Sequence, residues 1–344
     1  MPASRYFLEV PAGSEMVARA ELQRLGAKRL AEFPGGFRLV QDADLAKALR
    51  ARMVAAAYLS MTFPVPRPKA LLGDANFRAL VTAVKGIAAR GEYGGLRLSA
   101  AGADSPTMTR LAAALAAAVG LPWRQDDGEL LVRLRPDPAT TGWEVLVRLT
   151  PRPSSTRAWR VCNRPGGLNA AVAAVMNELA GVDARDTYLN LMCGSGTLLI
   201  ERALRAPARR LVGFDIDPDA VRCAETNAAA ASVVKRCELT VGDLTDPRFV
   251  ERLGAAGRFD VMTADAPWGD AVGAHAANRA LYPKLFAAAA ALGAPDSRFC
   301  LLSHELRLLR SVVGDQPWWQ VERESQVAHG GHHPLVLVMS RVQE

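Results

Sequence analysis

From residue 168 onward the chain alternates helix and strand with a regularity that admits few folds. Apolar runs of strand length stand at residues 187–192, 211–215, 237–241, 259–264 and 298–303, with helical periodicity at 168–179, 196–205 and 218–231. A closing pair of strands is expected at 319–324 and 335–341. Strands separated by helices of these lengths need crossover connections, which build a doubly wound, mainly parallel α/β sheet. Ligands of such sheets sit beyond the C-terminal ends of the strands. The residues that follow 192, 214, 241 and 264 are therefore the ones that can carry chemistry.

Each of those four positions offers a group suited to a nucleoside ligand. After the first strand, Cys193-Gly194-Ser195-Gly196-Thr197 opens a helix, so backbone amides can approach a ligand without obstruction from Cβ atoms. A dinucleotide fingerprint would need a small residue where Leu199 stands, which disfavours NAD. Asp215 ends the second strand, where a carboxylate can accept both hydrogens of a ribose diol; the competing role of helix N-cap suits Asp217 before Pro218 better. Gly242-Asp243-Leu244 supplies a second carboxylate, suited to an adenine amine or to an ordinary Asp turn. After the fourth strand stands Asp265-Ala266-Pro267-Trp268. An aromatic exocyclic amine such as guanine N2 is a weak nucleophile, and attack needs acceptors that hold its hydrogens and offset developing positive charge. Asp265 and the Ala266 carbonyl can do so, Pro267 stiffens the turn, and Trp268 offers a flat face for a flipped base.

The N-terminal half reads differently. Residues 1–63 show strand (6–10), helix (14–25), strand (37–40), helix (42–53) and strand (56–63), a small α+β unit. Pro64, Pro66 and Pro68 lack amide hydrogens and mark a boundary. A second α/β unit with antiparallel pairing is expected over 64–150, then a connector over 151–167 in which Arg152, Arg157, Arg160 and Arg164 stand without an acid. Residues 151–164 are placed to touch phosphate or a carboxylate. Of the net charge of +7, +6 lies in residues 1–150, which fits a polyanionic partner as well as a solvated basic surface. Five scattered cysteines, Cys162, Cys193, Cys223, Cys237 and Cys300, with no C-x-x-C pair, are expected to be reduced core residues, and no zinc site is expected. His329, His332 and His333 read as a hairpin loop rather than a metal cluster, and His304-Glu305 as structural. No secretory signal or membrane span is evident, so a cytoplasmic protein is expected, acting as a monomer without an obligate protein partner.

Taken together, Arg157-Ala158-Trp159-Arg160, Pro165-Gly166-Gly167-Leu168-Asn169, Cys193-Gly194-Ser195-Gly196-Thr197-Leu198-Leu199-Ile200-Glu201 and Asp265-Ala266-Pro267-Trp268 resemble a known family. These are the class I methyltransferases that act on exocyclic amines, in the subset that carries ferredoxin-like and THUMP domains at the N-terminus. The resemblance is strong over 150–270 and consistent in order over 1–150. It implies a Rossmann-like methyltransferase domain at 168–344, a ferredoxin-like unit at 1–63 and a THUMP-like RNA-binding domain at 64–150. It further implies S-adenosylmethionine as cofactor, held by Asn169, Asn190, Cys193, Gly194, Ser195, Gly196, Thr197, Asp215, Ile216, Asp243 and Leu244. Asp265, Ala266, Pro267 and Trp268 would form the catalytic turn, and Arg152, Arg157 and Arg160 would meet RNA. The expected reaction is guanine-N2 methylation of tRNA at position 6 of the acceptor stem, with large-subunit rRNA as the alternative substrate. A non-catalytic RNA-binding protein and a DNA adenine-N6 methyltransferase are further alternatives. Two departures from the family pattern stand out: Asn190 where most relatives have Asp, and Ala266 where many have Pro.

Overall fold

The computed structural model describes residues 5–39, 42–267, 274–328 and 331–343. They form two compact units, one of residues up to Val10 together with Arg19–Ser155, the other of Pro11–Ala18 together with Thr156–Glu344.

The first unit is built on strands β1 (Arg5–Glu9), β2 (Leu30–Phe33), β3 (Gly36–Leu39), β4 (Ala56–Phe63), β5 (Leu96–Ser99), β6 (Leu130–Pro136) and β7 (Trp143–Arg148). Its helices are α1 (Glu15–Arg24), of which Arg19–Arg24 belong to this unit, α2 (Leu45–Ala48), α3 (Asp74–Ala88) and α4 (Pro106–Val119). All seven strands join one sheet in the order β2-β3-β1-β4-β7-β6-β5. The proline run at 64–68 therefore does not separate two compact bodies. Strand β4, before it, pairs antiparallel with β7, beyond it, from Tyr58↔Arg148 to Phe63↔Trp143. A buried polar knot ties the same elements: Glu144 accepts from Arg38 at 2.7 Å, Arg135 at 2.7 Å and Ser60 at 2.5 Å. A fully buried carboxylate persists only when partnered in this way.

Three further expectations are corrected here. The antiparallel pairing expected over 64–150 holds between β6 and β7, but β5 pairs with β6 in parallel. The hairpin partner β2 is additional to the strand expected at 37–40, and Val40 lies outside the described residues. The helix expected at 42–53 shortens to α2 because the amides of Arg52 and Met53 each donate to the Glu21 carboxylate at 2.9 Å, which satisfies them without a helical turn.

The second unit holds α5 (Ala170–Ala180), β8 (Thr187–Leu191), α6 (Thr197–Arg205), β9 (Arg210–Asp215), α7 (Pro218–Ala230), β10 (Glu238–Val241), α8 (Pro247–Ala255), β11 (Phe259–Asp265), α9 (Ala274–Leu292), β12 (Gly293–Ser303), α10 (Leu306–Asp315), β13 (Trp319–Gln326) and β14 (Leu335–Arg341). Their order is β10-β9-β8-β11-β12-β14-β13, parallel up to β12, with β14 antiparallel to both neighbours. This is the doubly wound sheet expected from the alternation, with its closing antiparallel pair. Near-continuous apolar runs suit strands covered on both faces. Accordingly Leu189, Leu191, Val212, Phe214, Met262, Ala264, Phe299 and Leu301 share one core, joined by Leu285 and Phe286 of α9. Helix α5 is alanine- and valine-rich with nearly every residue buried, which is why it shows no polar face in the sequence. No helix among the described residues is long and apolar enough to cross a membrane.

Candidate active site

Strand β8 is flanked by β9 on one side and β11 on the other, so the chain leaves it in opposite directions and a crevice opens beyond the strand ends. The loop at that point is sharply bent: Met192, Gly194 and Gly196 have φ of 52°, 53° and 82°. Its bend is held by Cys193 N–H donating to the Phe214 carbonyl at 2.8 Å and Gly196 N–H to the Cys193 carbonyl at 2.8 Å. Gly196 is the N-cap of α6, and a Cβ there would stand 2.9 Å from that of Ala224. A Cβ on Gly194 would meet nothing within 4 Å, so the peptide presents a bare face to open space. Left-handed backbone costs a residue with Cβ about 1–2 kcal/mol. We expect Gly196→Ala to lower the melting temperature by several degrees and to weaken S-adenosylhomocysteine binding several-fold by calorimetry; unchanged values for both would remove Gly196 from this role.

Beside the loop lies a cavity of about 140 Å³, walled by residues 164–168 on one side and by Asn190, Met192–Ser195, Thr197, Leu198 and Asp265 on the other. The strap at 162–168 is anchored to one helix, α7. Cys162 is disulfide-bonded to Cys223, with Cα atoms 5.5 Å apart. Arg164 pairs with Asp217, whose other oxygen caps α7 through Asp219 N–H at 2.8 Å. Asn227, fully buried, accepts from Cys162 N–H at 2.9 Å and donates to the carbonyls of Cys162 and Ser195, each at 3.0 Å. One side chain thus joins strap to glycine loop. The disulfide corrects the expectation of five reduced cysteines. Residues 61 apart in sequence, it leaves no local spacing by which it could be read; Cys193, Cys237 and Cys300 are free. Burial, reinforced by the Asp215 charge, pushes the Cys193 thiol above its usual range.

On the opposite wall Asp265 ends β11, in register with Leu302. The next residue, Ala266, is buried and donates its N–H to the Leu302 carbonyl at 2.9 Å. The Pro267 carbonyl accepts from Asn278 Nδ2 of α9 at 2.9 Å, and the same nitrogen donates to Glu305 Oε1 at 2.6 Å. Glu305 also contacts His275 Nδ1. Trp268, expected to stack a base, lies outside the described residues, as do Gly269, Asp270, His329 and Gly330. His332 sets its ring edge-on to that of His304, centroids 5.6 Å apart. Among the described residues no group of three or more His, Cys, Asp or Glu side chains is arranged to hold a metal ion.

The cavity brings together Asn190, Cys193, Gly194, Ser195, Thr197 and Asp265 from the expected set. Asn190 donates its amide hydrogens to the carbonyls of Leu191 and Thr263 at 3.2 and 3.3 Å, which turns its oxygen the other way. Asn169 stands just past the strap as the N-cap of α5, accepting from Ala171 N–H at 2.8 Å. Asp215 lies off the cavity wall, its carboxylate accepting from Gly194 N–H at 2.8 Å and Asp217 N–H at 3.0 Å. Ile216 beside it is 64% exposed. Asp243 accepts from Thr245 N–H at 2.8 Å, the Asp-turn geometry, and the Leu244 side chain is buried in the core, which leaves only its backbone to face a ligand.

Two of the three arginines expected to meet RNA have partners within the protein. Arg157 is turned inward, its Nε donating to the fully buried Glu201 at 2.8 Å, and Arg160 donates to the Leu168 carbonyl at 2.7 Å. Burial lowers the Arg160 pKa, and a Cβ on Gly167 would sit 2.2 Å from its guanidinium, so the strap glycine is what lets it pass. Arg152 is exposed. Asn227, Asn278 and Met192 are not among the site residues expected from the sequence. For Asn227 a signal existed: it is the one polar residue in the buried stripe Ala220, Cys223, Ala224, Asn227, Ala228 of α7.

Fold and site together define a class I methyltransferase domain: glycine loop after the first strand, acidic residues after the second and third, and an Asp-x-Pro turn after the fourth. The chain superposes on the structure of TrmN from Thermus thermophilus with a TM-score of 0.75 at 21% identity, covering 98% of this chain and 100% of that one. Residues 157–334 match the RMKL-like methyltransferase domain family, UPF0020, and the chain belongs to that family. It is 28% identical over 207 residues to a tRNA (guanine(6)-N2)-methyltransferase of Archaeoglobus fulgidus, covering 53% of this chain and 50% of the relative. It is also 28% identical over 179 residues to a tRNA (guanine(10)-N2)-dimethyltransferase of Methanothermobacter thermautotrophicus, covering 52% and 50%. The chain thus spans about half the length of the curated relatives it matches.

Proposed function

We propose that this protein transfers the methyl group of S-adenosylmethionine to the N2 amine of a guanine in tRNA, at position 6 of the acceptor stem, as a cytoplasmic monomer. The observation that carries this reading is that Asp265 and the glycine loop wall one cavity. The residues suit the cofactor: Gly194 leaves a bare peptide face, the α6 N-terminus favours its carboxylate, and Asp215 keeps lone pairs free of its two backbone donors for a ribose diol. Asn190, Cys193, Ser195, Gly196 and Thr197 line the methionine end with Asn169 nearby, while Ile216, Asp243 and the Leu244 backbone meet the adenine. S-adenosylmethionine supplies a methyl on a sulfonium centre, electrophilic without further activation. Asp265 and the Ala266 carbonyl accept the two amine hydrogens, which aligns the nitrogen lone pair with the methyl carbon and offsets its growing positive charge. The surplus proton leaves after transfer, so no strong base is needed beforehand. Trp268 stacks the flipped guanine, and the N-terminal unit, with Arg152, docks the RNA. The relatives named as guanine-N2 methyltransferases of tRNA support this choice of acceptor.

The test is incubation of the protein with labelled cofactor and separate tRNA and rRNA pools, followed by nucleoside mass spectrometry. Label in N2-methylguanosine of tRNA is the expected result. Label confined to rRNA moves the substrate, label in N6-methyladenosine changes the base, and absence of label from every nucleoside overturns the reading.

A further inference from the structure

Asn278 and Glu305 lie outside the cofactor loop, and simple packing does not account for them. Asn278 is 2% exposed, and both hydrogens of its amide are directed, one to the Pro267 carbonyl and one to Glu305. Glu305 is the N-cap residue of α10, yet its carboxylate makes no cap bond to its own helix. Its N–H donates instead to Ser303 Oγ at 2.9 Å, and Ser303 Oγ meets Tyr282 OH at 2.7 Å. Tyr282 stands one turn beyond Asn278 on the same face of α9, so the bonds close a ring between α9 and the end of β12. A buried polar ring of this kind is costly unless every member is satisfied, and a satisfied one fixes a single arrangement. The orientation is also determined: a half-turn of the Asn278 amide would set its oxygen against two acceptors, the Pro267 carbonyl and the Glu305 carboxylate.

What the ring holds is the turn after Asp265. Ala266 N–H is tied to Leu302 and the Pro267 carbonyl to Asn278, so the peptides on either side of the Ala266 carbonyl are both clamped. We propose that Asn278 and Glu305 are a positioning pair, which acts through the Pro267 carbonyl to aim the Ala266 carbonyl and Asp265 at the acceptor amine. This rests on the reading of that turn as the amine-binding site. A misplacement of about 1 Å costs on the order of 10²-fold in rate, so the pair governs turnover and leaves cofactor affinity alone.

The experiment uses the full chain and tRNA, and measures kcat, S-adenosylhomocysteine Kd by calorimetry, and melting temperature. For Asn278→Leu and Glu305→Leu we expect kcat to fall about 10- to 100-fold, with Kd within about two-fold of the parent. The double variant should be no slower than the slower single one, because the two act in series. Asn278→Asp keeps the shape but sets a carboxylate against Glu305 and the Pro267 carbonyl, and should slow turnover likewise if the leucine variant fails to fold. Phe286→Leu, a core change on the same helix, is the control: it should lower the melting temperature while kcat stays near the parent value. Parent-like kcat in Asn278→Asp or Asn278→Leu overturns the proposal. So does a loss of kcat that follows melting temperature equally in the Phe286 control, or a Kd that rises in step with the fall in kcat. An inactive parent protein would instead sink the methyltransferase reading, whereas an active parent with active variants removes only the pair.

Discussion

Replacing Asp265 with alanine is expected to cut methyl transfer to RNA by a factor of about 10² to 10³, while S-adenosylhomocysteine binds within about two-fold of the parent. The size follows from what the carboxylate does. In the proposed reaction neutral guanine N2 gains positive charge as it attacks, and an acceptor fixed in place beforehand stabilises that charge without reorganisation. Asp265 sits at the end of a strand paired on its far side with β12, so its backbone is held whether or not the side chain is present. The glycine loop that would carry the cofactor belongs to a different strand end and keeps its own bonds to Phe214 and Asp215. Rate and affinity should therefore separate. Asp265→Asn, which keeps one acceptor oxygen, should fall between the two. Single-turnover rates with labelled cofactor and a calorimetric titration check both halves; an alanine variant with parent-like turnover would take Asp265 out of the reaction.

The second large effect is on stability. Glu201 on α6 is fully buried and meets Arg157, itself 12% exposed in its side chain, at 2.8 Å. Removing one member of a buried pair leaves the other charge in a low-dielectric site, at a cost of about 3–5 kcal/mol. Glu201→Ala should accordingly lower the melting temperature by on the order of 10 °C. Arg157→Ala should do similar damage, and urea titrations should shift to lower midpoints for both. A change within about 0.5 kcal/mol, the ordinary range for surface substitutions, would show that the pair is not the internal brace described. This outcome also separates the structural role of Arg157 from the RNA contact expected of it, since a surface phosphate contact would leave stability untouched.

The parts of this molecule that were legible in the sequence are those in which local pattern and tertiary environment agree. The parallel strands β8, β9, β11 and β12 are buried on both faces and read as apolar runs; Asp217 before Pro218 marked a helix start and does cap α7. Asp265 and Gly194 were legible as neighbours because strand ends in such a sheet meet at one crevice, whereas Asn190 followed only from the family resemblance. What escaped was pairing over distance. The β4–β7 ladder, the Cys162–Cys223 bond and the hold of Glu21 on Arg52 and Met53 each join residues whose own neighbourhoods look ordinary. Arginine misled for the same reason: the connector shows four with no acid near in sequence, but Glu201 reaches Arg157 and Asp217 reaches Arg164 through the fold. Asn278 escaped because a buried amide bonded to a backbone carbonyl leaves no spacing pattern at all, and its link to Glu305, read as structural, spans 27 residues.

The ladder between β4 and β7 also constrains the order in which the N-terminal unit can assemble. Strand β4 has β1 on one edge, available at once, but its other edge is filled only by residues 143–148. On a chain emerging from a ribosome, the stretch Ala56–Phe63 therefore has an open, largely apolar edge until the chain has been made through Arg148. Closing loops that long is slow, and an unpaired edge of this composition invites pairing with other chains. The buried carboxylate of Glu144 reaches Arg38 and Ser60 only when β7 docks, so the same pairing that closes the edge also completes the buried polar knot.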